Sequence, residues 1–535
     1  MKIKIYLGFF VFCALVGVSQ GAPPEKWPYW PEYQKTPLSE IRAQEWREEE
    51  DVIDGWDWSL PPTVKPAANG LLVNMRTFDP NQSLDKKLKP VNLPINPTVS
   101  LWVNWKELEP EEGAYRFDIL QDRLAEAKAN GYFVVLRILA SSTHFAPEWM
   151  KDYYIPLKEN EKTGGIENYD ISHPEFHKRY LLLINALGDS GLPDSETLKG
   201  AYFGYASHSN GDEGIGPNGV DPDTVPHVVE RLNAWAQAFK GVEYKVYMGG
   251  ISQLGLSMGF GIRHGFVEMY LYHIPFDEIG QQVDENGYLW VDESNAIVRS
   301  NAFHGEENEE YDEAWATEKR GFRFGQNTDS YAYRYFTSNL RLLQMRCNYV
   351  LYSPFSILPE QMVWVGQSLG RTVEDSPDIW CAMRESYVRR MGPVKNFERW
   401  LYQRDSDGFE TEPVVKVEQP IKMWMVEPGK YYDYIARRGK QIGLAIDDRW
   451  CGGEPVDVAI KVTYFDVGQD MADVWLRTKN GVKSKAFKLS GTNKLKTATF
   501  FVEDAIFSAK GMKHDIILKS RNSDVVVSFV RVIRL

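Results

Sequence analysis

From Gly70 onward, short apolar runs alternate with stretches whose apolar residues recur at helical spacing. Uniformly apolar runs suit strands buried on both faces, and their alternation with helices is the pattern of βα units on a parallel sheet. Eight runs stand out, at 71–78, 99–105, 132–139, 201–206, 244–251, 266–272, 296–304 and 348–357. Eight is the number that closes a (β/α)8 TIM barrel. The spacing predicts helices over 176–187, 228–239 and 331–345, and a first helix from Asp118. In that helix Asp118-Ile-Leu-Gln121 is expected to form a capping box, Leu120, Leu124 and Ala127 share a face, and Asn130-Gly131 marks the stop. Residues 276–295 read as a long loop or hairpin instead of a sixth helix.

Near Phe409 the period changes to two. Runs at 442–446, 456–465, 474–477, 497–502, 516–518 and 525–533, separated by turn residues, predict an antiparallel β-sandwich of domain size. The expected organisation is therefore an N-terminal signal segment at 1–21, an extension rich in Pro, Trp and Glu at 22–66, a barrel at 67–408 and a sandwich at 409–535.

Composition narrows the function. Lys2 and Lys4, the apolar stretch 5–18 and Ser19-Gln20-Gly21 ahead of Ala22 form a secretory signal, so a secreted or periplasmic product is expected. That stretch is too short to span a bilayer, and no later one is long enough. Cys13 falls inside it without a convincing lipobox. Cys347, Cys381 and Cys451 are too scattered and too few for a disulfide framework or a zinc site. A net charge of -13 with no basic tract speaks against nucleic acid. The 17 Trp and 28 Tyr in an exported chain suit carbohydrate handling, because sugar rings lay apolar faces on aromatic ones; large cores also consume aromatics. Nothing in the chain bears on oligomeric state.

In a (β/α) barrel the chemistry gathers at the carboxyl ends of the strands. The fourth run leads into Ser207-His-Ser-Asn-Gly-Asp-Glu-Gly-Ile-Gly-Pro217, which places Glu213 in a glycine-rich loop that a ligand can approach. The seventh leads into Gly305-Glu-Glu-Asn-Glu-Glu310. Further strand ends offer Arg76, Trp105, Arg137, and the segment Ala140-Ser-Ser-Thr-His144 running on to Pro147-Glu-Trp149. His144, His208, Arg263 and His264 are candidates for binding hydroxyls, or the sulfate or carboxylate of an acidic glycan; Trp149 and Trp364 suit either stacking or core, and Asn301 and Tyr352 stand nearby without a firm role.

The segment Trp105-Lys-Glu-Leu-Glu-Pro-Glu-Glu-Gly-Ala-Tyr-Arg-Phe-Asp118, with its helix and Tyr132-Phe-Val-Val-Leu-Arg-Ile-Leu139, resembles the second and third units of clan-A retaining glycoside hydrolases. Beta-galactosidase-like and agarase-like families are the relatives, and the likeness spans about residues 70–400. It implies an acid/base after strand four and a nucleophile at the end of strand seven. By position these are Glu213 and Glu306, with Glu307 competing for the second place and otherwise contacting substrate. Where the clan usually has Asn before its acid/base, this chain has Asp212. The resemblance also implies a polysaccharide or oligosaccharide substrate, an algal sulfated galactan or related acidic glycan, and a C-terminal jelly roll that buttresses the barrel or binds glycan.

Two carboxylates are what the reaction demands. One protonates the leaving oxygen; the other, about 5 to 5.5 Å away in retaining enzymes, attacks the anomeric carbon. Their repulsion and burial raise one pKa, and donors such as Arg76 or Arg137 hold the other ionised. No cofactor or catalytic metal is expected, since neither HExxH nor a comparable ligand set occurs, Asp212 and Asp466 lack a calcium-loop pattern, and G-x-S-x-G is absent. The competing readings are a non-catalytic glycan-binding protein on a degenerate barrel, and a polysaccharide lyase working through a Tyr, His or Lys base.

Overall fold

Alternation along each strand decides which side chains fill the bore and which meet the helices. In the computed structural model, which describes residues 49–52, 71–74, 84, 98–159, 167–203, 221–249, 252–266, 281–308, 339–352, 359–388, 392–414, 417–418, 432–433, 436–493, 495–508 and 513–535, eight parallel strands close into a barrel. They are Leu71–Asn74, Thr98–Asn104, Phe133–Leu139, Leu198–Phe203, Val246–Met248, Gly261–Phe266, His304–Asn308 and Tyr349–Tyr352. Val134, Leu136 and Ile138 turn outward and share one core with Leu120, Leu124 and Phe176 of the surrounding helices. Val135, Tyr202, Tyr247, Phe303, Tyr349 and Leu351 turn inward and plug the bore. Gly200 makes room for this plug: a Cβ there would lie 2.6 Å from the Phe303 ring.

Two strands lie elsewhere than expected. The sixth is Gly261–Phe266, not 266–272, and the seventh begins only at His304. Ala296–Arg299, expected to open that strand, is instead a helical turn started by Asn295, whose side chain accepts the Ile297 amide. An apolar run of a few residues does not distinguish the two states, and the Asn N-cap decides for helix. The first long helix, Asp118–Ala129, lacks the expected capping box: Phe117 is its N-cap, and Asp118 pairs with Arg116 at 2.7 Å. The capping box lies earlier, between Asn104 and Glu107. Residues 281–291 form the hairpin anticipated for the sixth connection. Among the described residues, no helix is long and apolar enough to cross a membrane.

The C-terminal half is antiparallel, as expected, but its sheet reaches further back than residue 409. Asp378–Val388, Gly392–Arg399 and Leu401–Gln403 all pair within a 13-stranded sheet. That sheet's main path begins with Gly392–Arg399 and ends with Leu401–Gln403, segments separated only by Trp400, so the sheet curls until its ends meet. Inside it lie Trp400, Trp450, Ile460, Val474 and Phe500. From the N-terminal extension, Glu49–Val52 adds in parallel to Leu495–Ala505. The signal segment lies outside the described residues.

Sheet and barrel share a core. Trp364, on the helix after the eighth strand, meets Trp380 edge-on at 6.2 Å, with Phe397 and Phe529 in the same cluster. Buried among them, Arg531 donates to Asp378 at 2.6 Å, and the Trp364 indole donates to the same oxygen at 2.8 Å. A second junction surrounds Glu293, which takes Arg346 from the barrel at 2.6 Å and Arg449 from the sheet at 2.9 Å, with the Trp400 indole donating as well. These contacts sit at the amino-terminal end of the barrel. Glu293 and Arg346 precede the seventh and eighth strands, and Arg399 donates to Ser368 at the last turn of a helix that descends from the mouth.

Candidate functional site

At the opposite, carboxyl-terminal end, charged and aromatic inward positions gather on Tyr202, a member of the plug. Trp102, Arg137, Tyr202 and Arg263 lie on the second, third, fourth and sixth strands. Trp102 pairs in register with Arg137, and Arg137 with Tyr202. The Arg137 guanidinium stacks 4.3 Å from the Trp102 ring and 4.5 Å from the Tyr202 ring. Arg263 reaches the same tyrosine from the other side, its Nη1 donating to the hydroxyl at 3.1 Å. Arg137 is buried and Arg263 half-buried, so two cations share one aromatic ring in a bore of low dielectric. A guanidinium favours the ionised form of a carboxylate brought close to it. Sequence reasoning found both arginines but missed Trp102 and Tyr202; the inward alternation of those strands was the signal.

The seventh strand passes this layer with Gly305 in register with Arg263. Against the eighth strand, Glu306 lies opposite Val350 and Glu307 opposite Leu351. Val350 belongs to the outer core, whereas Leu351 belongs to the plug. By register with the eighth strand, Glu307 occupies a position on the bore side and Glu306 one on the helix side, while against the sixth strand the register shifts between Gly305 and Glu307, which pairs with Phe266. Only the backbone of Glu306, Glu307 and His264 is described, and Arg76, His208, Asp212 and Glu213 lie outside the described residues.

Trp105 is not at the mouth. The second strand ends at Asn104, and Trp105 opens a short helix with its ring wholly buried, edge-on to Trp149, Phe176 and Tyr180. Its indole donates to Glu109 at 2.7 Å. Glu109 also accepts the Gly113 amide at 2.8 Å, and burial pushes its carboxyl above the ordinary range. Trp149 is half-buried and donates to the Glu109 carbonyl, pinning the loop after strand three to the loop after strand two. His144 is exposed on that third loop. Trp364 is core, as described above, and Asn301 precedes strand seven on the base side. His304 is buried, with Nε2 2.8 Å from the Met345 carbonyl oxygen, and burial pushes its imidazole down to about 4. Asp466 holds a turn, accepting the Thr492 hydroxyl at 2.6 Å and pairing with Lys496 at 3.4 Å. Among the described residues, no group of three His, Cys, Asp or Glu side chains is disposed to hold a metal ion.

Comparison with known proteins points the same way. Residues 86–189, which include the second and third strands and the loops pinned by Trp149, match the beta-galactosidase family model Glyco_hydro_42. Among curated proteins, no sequence matches the chain. Solved structures similar to it include beta-galactosidase from the psychrophilic Marinomonas ef1, at 14% identity and TM-score 0.21, where the match covers 26% of this chain and 22% of that one. Endo-glycoceramidase II from Rhodococcus sp. aligns at 12% identity and TM-score 0.32 over 89% of this chain and all of that one. A GH42 beta-galactosidase from G. stearothermophilus aligns at 23% identity and TM-score 0.20, over 27% and 22% of the respective chains. With a parallel eight-stranded barrel beneath the matched segment, the chain resembles the clan-A glycoside hydrolases.

Proposed function

We propose that this protein is an exported, retaining glycoside hydrolase that cleaves a polysaccharide or its oligosaccharides, with a galactose-containing acidic glycan as substrate class. Glu213, on the loop after strand four, protonates the departing sugar oxygen and then activates water. A carboxylate of strand seven attacks the anomeric carbon. The register supports Glu307 for this role over its neighbour Glu306, because Glu307 shares the bore-side face with Leu351. Arg137 and Arg263, gathered on Tyr202, supply the positive field that keeps the nucleophile ionised while Glu213 holds its proton. The same field suits a substrate bearing sulfate or uronate groups.

What supports this reading is the match of residues 86–189 to a beta-galactosidase model, on an eight-stranded barrel in which Arg137 and Arg263 meet on Tyr202 and the seventh strand carries Glu306 and Glu307. Purified protein is to be screened against galactans, ulvans and uronate polymers with mass analysis of products, and early products examined by NMR. Retained anomeric configuration is expected, and inversion would overturn the double displacement. Glu213→Gln and Glu307→Gln should each lower kcat by about a hundredfold or more, the scale of general acid–base and nucleophilic contributions. A Glu306→Gln variant that loses as much while Glu307→Gln does not would move the nucleophile one residue back.

A further inference from the structure

Six residues other than glycine adopt positive φ among the described residues: Tyr154, Arg346, Asn396, Trp400, Asn493 and Asp504. For an L-residue this conformation costs about 1 to 2 kcal/mol, and Asn and Asp tolerate it best. At the two bulky internal cases the side chain makes up the deficit, since Arg346 and Trp400 both donate to Glu293. Tyr154 differs. It closes the short helix Glu148–Tyr153 in the left-handed region at φ 50°, a place where glycine is the usual residue. Its side chain is 90% exposed, whereas the next most exposed large apolar residue among those described, Val482, is 48% exposed. Its backbone amide donates to the Lys151 carbonyl at 3.3 Å, but among the described residues its side chain makes no hydrogen bond or ring contact that repays the strain.

The frame around Tyr154 is rigid. Met150 is fully buried, Trp149 is bonded to the second loop, Tyr153 donates to Glu112 at 2.7 Å, and Asp170 donates its amide to the Pro156 carbonyl at 2.8 Å. Leu157, three residues on, is exposed too. All of this belongs to the connection between the third barrel strand and the helix Pro174–Asp189, so it lies at the carboxyl-terminal face where a barrel binds its substrate. A ring held outward by a pinned loop, in a backbone state it does not favour, is pre-organised to be covered by something else. A pyranose face fits it: flat, apolar on one side and polar at the edge, like the phenol itself.

Building on the glycosidase reading, we infer that Tyr154 is a stacking platform at the mouth for a sugar unit remote from the cleaved bond, which makes the substrate an extended glycan chain. The test is gel electrophoresis through a neutral β-galactan, a sulfated galactan and ulvan, in parallel with turnover of short chromogenic galactosides. The wild-type protein should be retarded by at least one polymer. Tyr154→Ala and Tyr154→Gly should weaken that retention by about tenfold, the reach of one aromatic contact, while Tyr154→Phe keeps it. Turnover of the short substrates should be unchanged in all three. Migration of the Ala and Gly variants like wild type in a retarding polymer overturns the inference, as does a wild-type protein that no polymer retards. Loss of retention in a protein that hydrolyses nothing would uphold the platform and remove the glycosidase reading instead.

Discussion

The two ends of the barrel use the same kinds of residue to opposite purposes. At the base, where the C-terminal sheet docks, arginines, carboxylates and tryptophans are buried and joined: Asp378 to Arg531 and Trp364, Glu293 to Arg346, Arg449 and Trp400. At the mouth, Arg137 and Arg263 are gathered on an aromatic floor, and Tyr154 stands in solvent. At the base each of these two carboxylates is met by more than one donor, whereas at the mouth two guanidinium groups meet on one tyrosine. The large sheet thus joins the barrel at the end opposite Arg137 and Arg263. Removing the C-terminal region would uncover Trp364 and take Arg449 and Trp400 from Glu293.

The largest way to break this contrast is at the base. Asp378→Ala leaves Arg531 buried without its carboxylate, and a broken buried pair costs about 3 to 5 kcal/mol. Urea unfolding should show that loss, while kcat on short substrates stays near wild type in the protein that remains folded. A fall in kcat with no loss of stability would mean that the base communicates with the site.

A weaker perturbation uses pH. Burial alone would raise the Glu293 carboxyl, but Arg346, the Trp400 indole and Arg449 together hold it below its ordinary value of 4.5. A carboxyl depressed in this way stabilises the fold above that value and loses its contribution as pH falls through the folded-state pKa. Glu293→Gln should therefore be less stable than wild type at neutral pH, by about 1.5 to 3 kcal/mol for a charged hydrogen-bond partner, and the gap should close in acid. Between pH 6.5 and about 4 a separate loss is expected, because the unfolded chain protonates His304 while the folded chain, having buried it, does not. In His304→Gln that part of the decline should flatten.

How much of this was legible in the sequence follows from the same physics. Six of the eight barrel strands share three or more residues with their expected runs, because buried parallel strands must be continuously apolar, while the sixth and seventh share only Phe266 and His304. Strand seven was misread because His304-Gly-Glu-Glu-Asn308 is polar, while the apolar Ala296-Ile-Val298 before it is helical. The edge strand Gly481–Ser490 was missed for a related reason: its lysines mask the buried Phe487 and Leu489. Trp105 was drawn to the mouth by its place after a strand, yet a ring facing Phe176 and Tyr180 belongs to the core. Tyr154 left no trace in the pattern, because a backbone angle and an empty surround are properties of the fold alone.

The finest distinction compares one substitution at the two ends. Trp400 and Tyr154 share a left-handed backbone, at φ 58° and 50°. Glycine removes the strain at both, a gain of about 1 kcal/mol set against its greater freedom in the unfolded chain. At Trp400 that gain is overwhelmed, since the variant empties a fully buried indole site and takes a donor from Glu293, so a net loss of about 3 to 5 kcal/mol is expected. At Tyr154 nothing is emptied, and stability should stay within about 1 kcal/mol of wild type or rise. Thermal unfolding of the two variants side by side measures the difference directly. If Tyr154→Gly unfolded as readily as Trp400→Gly, the exposed ring would be supporting its own loop, and the base and mouth would not differ in the way their contacts indicate.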